Sequence, residues 1–202
     1  MRVLVVSMAA ALAGCVNVLP EASPAAARYT IAPIEFGSGS AAEPVAWTLA
    51  IADPTSTRAY DTAKIALTRA PGQIEYYAAG EWADRSPNLI RTAMVRSFEN
   101  SGRILGVGDT VVLPGADYIL KTDIRRLHAA YDGGVPAADV ALFAKLTDKR
   151  GRIIASRLFT QRQTAERDSV PAVGRAFNTV LQSTLIDVVD WSFETVEADQ
   201  AK

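Results

Sequence analysis

Among the residue types suited to nucleophilic or acid–base chemistry, cysteine and histidine occur only once each in this sequence, as Cys15 and His128. His128 falls near the end of a predicted strand, without a cysteine or serine motif beside it, and a Gly-x-Ser-x-Gly nucleophile elbow is absent. Metal sites usually gather several ligands, and one cysteine with one histidine leaves only scattered carboxylates. We therefore predict a structural or solvent-facing histidine, no metal site, no cofactor and no enzymatic activity.

The cysteine stands in a context that predicts a covalent lipid anchor. Leu12, Ala13 and Gly14 precede Cys15 in the order of a bacterial lipobox, which is a branched apolar residue followed by two small ones. The almost wholly apolar residues 3–13 are too few for a membrane span of about 20 residues, but they suit a secretory signal. Cleavage after Gly14 would leave Cys15 first in the mature chain, with its sulfur in a thioether. The alternative is a buried N-terminal strand that ends in a core cysteine, and it explains fewer of these features.

The anchor divides the chain into four predicted parts. Residues 1–14 are the signal peptide, and residues 15–28, rich in Ala, Pro and Ser, are the lipidated cysteine and a flexible tether. Residues 29–194 form the folded domain, and residues 195–202 form a polar tail that we expect to fray. Val16 occupies the place where an aspartate favours retention in the inner membrane, so by this sorting rule we predict a periplasm-facing position on the outer membrane.

Size and charge restrict the remaining function classes. The chain has 202 residues with 21 basic and 22 acidic side chains. That length suits one well-buried domain rather than two. Sequence-independent binding to nucleic acid depends on concentrated Lys and Arg, which this nearly neutral chain lacks. We therefore expect no nucleic-acid partner.

The central stretch predicts a hairpin that leads into a helix. Residues 64–68 and 73–77 alternate with the two-residue period of strands around a turn at Pro71-Gly72. Ser86 is the predicted N-cap of a helix that ends near Gly102. Residues 110–113 look like a further strand, which argues against a nucleotide-binding loop at the preceding glycines because such a loop leads into a helix.

The second half predicts a three-stranded meander and a long helix. The strands cover residues 117–130, a segment around 140–146 and a segment around 154–158. Apolar residues at helical spacing then mark residues 173–191. The predicted fold class is α+β: a mainly antiparallel sheet with two long helices packed on one face, preceded by the lipoprotein signal peptide and tether.

A series of short motifs resembles one protein family. In chain order the motifs are Gln73-Ile74-Glu75-Tyr76-Tyr77, Trp82-Ala83-Asp84, Pro87-Asn88-Leu89-Ile90 and Glu99-Asn100-Ser101-Gly102-Arg103. Together they resemble the ABC-type transport auxiliary lipoproteins, which are PqiC-like envelope proteins that accompany transporters carrying mammalian-cell-entry (MCE) domains. The resemblance covers roughly residues 29–191 and is sharpest in the central stretch.

The resemblance implies a non-enzymatic subunit of an MCE-type ABC lipid-transport system that ties the transporter to the outer membrane. The partner of this subunit would be the MCE-domain protein. The resemblance does not decide whether the subunit also forms a homo-oligomer. The alternative function is a stand-alone lipid- or glycan-binding lipoprotein of the envelope.

Tyr76, Tyr77 and Trp82 are the candidate partner-binding residues, because Tyr and Trp are enriched at interfaces. One tyrosine of the pair must face away from the core, since strand neighbours point to opposite faces. We favour a structural role for Trp82, at the joint between hairpin and helix, and leave both roles open for the tyrosines.

Overall fold

The structure is a computed structural model that describes residues 26–36 and 43–202. The predicted signal peptide, the lipobox with Cys15 and most of the tether therefore lie outside the described residues. Nine strands and two helices follow one another in the described part. They are β1 Ala27–Tyr29, β2 Val45–Ile51, β3 Thr55–Ser56, β4 Lys64–Thr68, β5 Glu75–Trp82, α1 Ser86–Asn100, β6 Ile104–Asp109, β7 Tyr118–Ala130, β8 Ala137–Asp148, β9 Ile153–Thr164 and α2 Val170–Gln200.

The sheet is built around β7. Along one side β7 pairs with β8, which pairs with β9, and this antiparallel meander is the one predicted. Along its other side β7 pairs in parallel with three short strands in succession, β2, β3 and β4. Beyond β2 lies β6, and beyond β4 lie β5 and then β1.

The prediction of a mainly antiparallel sheet is wrong, because the sheet is mixed. Five of the eight strand pairings are parallel, and only β4–β5, β7–β8 and β8–β9 are antiparallel. The physical reason is that side chains alternate with a period of two in both kinds of sheet. The alternation therefore identified strands without indicating their relative direction.

The two predicted long helices are present and share one core. The stripe predicted between residues 173 and 191 is buried in α2, and its positions are Val173, Phe177, Val180, Leu181, Thr184, Leu185, Val188 and Trp191. Aromatic rings join α2 to the other elements, because Phe177 packs edge-on against Trp82 of β5 and Phe193 lies 5.9 Å from Phe98 of α1. Burying a large apolar side chain completely contributes about 1.5–3 kcal/mol to stability. Burial of this stripe therefore stabilises the packing of α2 on the sheet.

The domain begins at β1 with an aromatic side chain seated between two glycines. A Cβ atom on Gly174 of α2 would lie 2.5 Å from the ring of Tyr29. A Cβ atom on Gly80 of β5 would meet the Val170 side chain first and would lie 3.2 Å from the Tyr29 ring. Glycine at both positions therefore leaves room for the Tyr29 ring. This close contact connects the first described strand to α2 as well as to β5.

Three local predictions differ from the structure. Helix α1 begins at Ser86 itself, whose hydroxyl donates to the Tyr60 carbonyl instead of capping the helix. Residues 110–113 form a turn after β6, because Asp109 Oδ1 accepts the backbone N–H groups of Val111 and Val112. The expected frayed tail is helical as far as Gln200.

Candidate functional site

The tyrosine pair on β5 divides between the surface and the interior. Tyr76 is 39% exposed, and Ile74, just before the strand, is 36% exposed. The Tyr76 hydroxyl donates to the Ala59 carbonyl over 3.3 Å, and the Lys64 ammonium lies 5.5 Å from the centre of its ring. Ile74 and Tyr76 together form a small exposed apolar surface, which we call the hairpin patch.

Tyr77 is half-buried and takes part in a chain of hydrogen bonds. Its hydroxyl lies 3.0 Å from the hydroxyl of Tyr131, which donates to Asp168 over 2.7 Å. Burial and the hydrogen bond to Tyr131 raise the pKa of Tyr77 well above its ordinary value, so the phenol stays protonated. This series of hydrogen bonds connects β5 with the end of β7 and with the residues just before α2. In this position Tyr77 stabilises the fold.

Trp82 lies at the end of β5 and is buried. Its ring lies 5.3 Å from that of Phe177 at an interplanar angle of 73°, an edge-on contact of the kind that aromatic pairs prefer. Of the three candidate partner-binding residues, only Tyr76 presents its ring to solvent, and the structure does not bring the three together on one surface.

His128 is buried near the end of β7. Its Nδ1 atom lies 2.8 Å from the Tyr60 hydroxyl, and the two rings are nearly parallel with their centres 6.0 Å apart. Burial lowers the pKa of His128, and the nearby carboxylate of Asp139 offsets only part of that shift. The imidazole is therefore neutral at pH 7. In the part of the chain that the structure describes, no three His, Cys, Asp or Glu side chains cluster as metal ligands would.

Three exposed apolar side chains on and after β6 were missed by the sequence reasoning. Leu105 on β6 is 84% exposed, and Val111 and Val112 in the following turn are 85% and 73% exposed. Among the described strands β6 is at an edge of the sheet, so one row of its backbone groups has no strand partner there. We call these three residues the β6 patch. The sequence analysis predicted a strand over residues 110–113 and therefore did not predict that Val111 and Val112 are exposed. The sequence signal for a turn at this position was Asp109, because aspartate starts turns by accepting backbone N–H groups of the residues that follow it.

The described residues form two helices, α1 and α2, and neither is long and apolar enough to span a membrane.

Comparison with known proteins identifies the family. Residues 29–189 match the family described as the ABC-type transport auxiliary lipoprotein component. The chain belongs to this family. Its members are in general non-catalytic subunits of ABC-type transport systems, and a lipoprotein family indicates a place in the cell envelope. This confirms the resemblance seen in the central motifs.

Two individual relatives are 30% identical to this auxiliary lipoprotein over their aligned regions. An uncharacterized protein of Bradyrhizobium diazoefficiens, bll6063, is 30% identical over 154 residues, which make up 76% of this chain and 41% of that protein. The chain thus spans about two fifths of the length of this curated relative. The crystal structure of XCC0632 from Xanthomonas campestris is also 30% identical, covers 87% of this chain and 98% of its own, and superposes with a TM-score of 0.78.

A further crystal structure, of an uncharacterized protein, has the same fold at low identity. It is 12% identical, covers 82% of this chain and 97% of its own, and has a TM-score of 0.63. At that identity the likeness concerns the fold alone.

Proposed function

We propose that this lipoprotein is the auxiliary subunit of an MCE-type ABC lipid-transport system, and that it connects the transporter to the outer membrane. Family membership supports the transport role, and the lipobox at residues 12–15 supports the anchor. The MCE-domain partner rests on the resemblance of the central motifs. In this proposal the domain works by docking to its partner and carries out no reaction of its own.

The observation that carries the docking proposal is the exposure of Tyr76. Its neighbour Tyr77 and the nearby Trp82 are turned into the fold, yet the ring of Tyr76 remains accessible beside Ile74. An aromatic ring with a hydroxyl provides a large contact area and loses little conformational freedom on binding, which is why tyrosine is frequent among the residues that dominate interfaces. We therefore assign the hairpin patch as the contact with the MCE-domain protein.

The proposed anchor sets the distance between this contact and the bilayer. About twelve residues connect Cys15 to the first residue of β1. A fully extended chain covers about 3.5 Å per residue, so this tether reaches about 40 Å. Two or more acyl chains on Cys15 would hold it stably, because each buried CH₂ contributes roughly 0.8 kcal/mol. The domain would thus work within one domain diameter of the membrane surface.

The test is a pull-down of the MCE-domain protein by single variants of the anchored protein. Tyr76→Ala should weaken binding by about 1–2 kcal/mol, which is roughly 5- to 30-fold in Kd, and should leave the melting temperature unchanged. Leu158→Ala is the matched control, because it removes an apolar side chain of similar exposure on β9. Equal effects of the two variants would show that the hairpin patch is not the contact.

His128→Ala separates docking from chemistry. We expect partner binding and transport to survive this change at a temperature where the variant is folded, because the docking proposal assigns no proton transfer to the domain. Loss of transport with normal folding and normal binding would instead reveal a reaction at His128.

One cleft favours the alternative function, a stand-alone glycan-binding protein. It has a volume of about 550 Å³, and Trp47 and Tyr118 line it together with charged side chains such as Arg152 and Asp199. Such a mixed lining suits a hydroxyl-rich ligand better than an acyl chain. If the purified protein bound oligosaccharides tightly but failed to recover an MCE-domain protein from solubilised envelopes, the alternative would replace the docking proposal.

A further inference from the structure

Two lysines oppose each other on the exposed face of the meander. Lys121 of β7 and Lys145 of β8 are direct cross-strand partners, and both are exposed. Like charges in this position destabilise a sheet, because their Cβ atoms stand about 5 Å apart on the same face. Within residues 26–36 and 43–202, no carboxylate lies within ion-pair distance of either ammonium group. The fold therefore holds two positive charges together without a partner for either.

The carboxylates nearest to this pair are already paired with arginines. Asp123, two residues along β7, forms an ion pair with Arg125 and accepts the Thr55 hydroxyl over 3.1 Å. Asp53 lies 2.9 Å from the Nε atom of Arg91 on helix α1. The charge of each of these two acids is therefore largely neutralised by an arginine, and neither acid forms an ion pair with Lys121 or Lys145.

The lysines also line a pocket of suitable size for a small anion. Its volume is about 250 Å³. The lining residues are Ala52, Asp53, Thr55, Lys121, Thr122, Asp123, Phe143 and Lys145. The ring of Phe143 has the Lys145 ammonium 5.5 Å from its centre and the Arg125 guanidinium 5.1 Å from it. An anion in this pocket would meet the two lysines and the Phe143 ring, and the arginine-paired carboxylates of Asp53 and Asp123 also belong to the lining.

We propose that Lys121 and Lys145 bind a phosphate group. Phosphate oxygens accept charge-assisted hydrogen bonds from ammonium groups, and one phosphate between the lysines would convert their repulsion into two attractions. The phosphate can belong to a small soluble ester or to the head group of an anionic phospholipid, and the same chemistry recognises both. This site is independent of the hairpin patch and of the docking proposal.

The experiment measures thermal unfolding of the full protein in a nonionic detergent, with and without inorganic phosphate. Chloride keeps the ionic strength constant, so that general screening of the lysines is the same in every sample. At ten times its Kd, phosphate should raise the melting temperature of a protein of this size by about 3–5 °C. The double variant Lys121→Gln with Lys145→Gln should lose this rise.

A matched control removes the same charge elsewhere. Arg150→Gln with Lys202→Gln also deletes two exposed cations and should keep the rise. Phosphate stabilises most proteins weakly by exclusion from their surface, and this background is common to all variants. Equal rises in the wild type and the lysine double variant would overturn the proposal.

Stability without phosphate gives a second readout. At low ionic strength the lysine double variant should melt at or above the wild-type temperature, because it removes a like-charge pair. A marked drop in melting temperature would show that the two lysines stabilise the fold, and would also overturn the proposal.

The source of the phosphate is distinguished by two probes, glycerol 3-phosphate in solution and phosphatidylglycerol mixed into the detergent micelles. A lysine-dependent rise with phosphatidylglycerol that exceeds the rise with glycerol 3-phosphate assigns the site to a lipid head group. The reverse order assigns it to a soluble phosphate ester. If neither probe produces a lysine-dependent rise, the site does not bind phosphate groups.

Discussion

His128 shows how a single buried side chain makes the stability of this domain depend on pH. Burial lowers the pKa of His128 and so favours its neutral ring, whose Nδ1 atom lies 2.8 Å from the Tyr60 hydroxyl. Opposite it on β8 lies Asp139, which is paired with Arg126, and Arg162 is close enough to oppose protonation further. The unfolded chain has no such environment, so its imidazole binds a proton near the ordinary pKa of 6.5.

The first prediction follows from that difference in pKa. Because the folded-state pKa lies below 6.5, the unfolded state binds more protons at lower pH, and stability should fall as the pH drops below 6.5. Above 6.5 the contribution is fully present. His128→Gln should flatten the stability profile between pH 6.5 and about 5, a window above the range in which carboxylates titrate. Urea unfolding at a series of pH values would measure it, and an unchanged slope in the variant would contradict this assignment.

At the scale of elements, α2 contributes the largest single apolar surface to the core. Phe177 is fully buried and packs edge-on against Trp82 of β5, so its removal should leave a cavity. We predict that Phe177→Ala costs about 3–5 kcal/mol of unfolding free energy. Ile186→Ala on the same helix is the control, because Ile186 is 40% exposed and should change stability little. Similar losses for the two variants in urea unfolding would mean that the stripe does not face the core.

At Gly174 of α2, helix propensity and packing predict opposite effects of a substitution by alanine. By helix propensity alone, Gly174→Ala would stabilise the helix by about 1 kcal/mol. The added Cβ would lie 2.5 Å from the Tyr29 ring, so we expect a net loss of stability and the release of β1. Faster cleavage by a protease after Arg28 would report that release. Combining Gly174→Ala with Tyr29→Ala should recover the stability of the Tyr29→Ala variant or exceed it, and failure to do so would show that the clash is not the cause.

The elements could be predicted from the sequence wherever one period dominated. The stripe of α2 and the long alternation of residues 117–130 were located correctly. The other two strands of the meander were placed correctly, but they extend beyond the predicted segments, to Ala137–Asp148 and Ile153–Thr164. The parallel pairing of β2, β3 and β4 along β7 could not be predicted, because it depends on which side of β7 the chain returns to. The turn at residues 110–113 was mistaken for a strand, because two adjacent valines outweighed the single turn signal at Asp109.

The candidate surface could be predicted only in part. The two-residue period required that Tyr76 and Tyr77 face opposite ways, but it could not say which ring is covered. That outcome depends on Tyr131 and Asp168, which approach Tyr77 from positions 54 and more residues away in the chain. The β6 patch depends on β6 being an edge strand, which is again a property of the sheet order.

At the scale of the whole molecule, the anchor is the remaining prediction. Cys15→Ala should leave the melting temperature unchanged, because the residue lies outside the predicted domain, and should release the protein from the membrane fraction. The measurement is sedimentation with membranes after a high-salt wash, since salt screens electrostatic attachment. If the variant still sediments, the lipobox does not supply the attachment.

The seat of Tyr29 between Gly80 and Gly174 has a mechanical consequence. If Cys15 is anchored, any pull between the membrane and a moving partner enters the fold at β1. β1 runs parallel to β5, so a force along β1 shears all three paired positions at once instead of opening them one at a time. The Tyr29 ring lies against Gly174, so that sliding of β1 along β5 would also break its contact with α2. With Cys15 anchored, the join between tether and domain would thus resist a pull directed along β1.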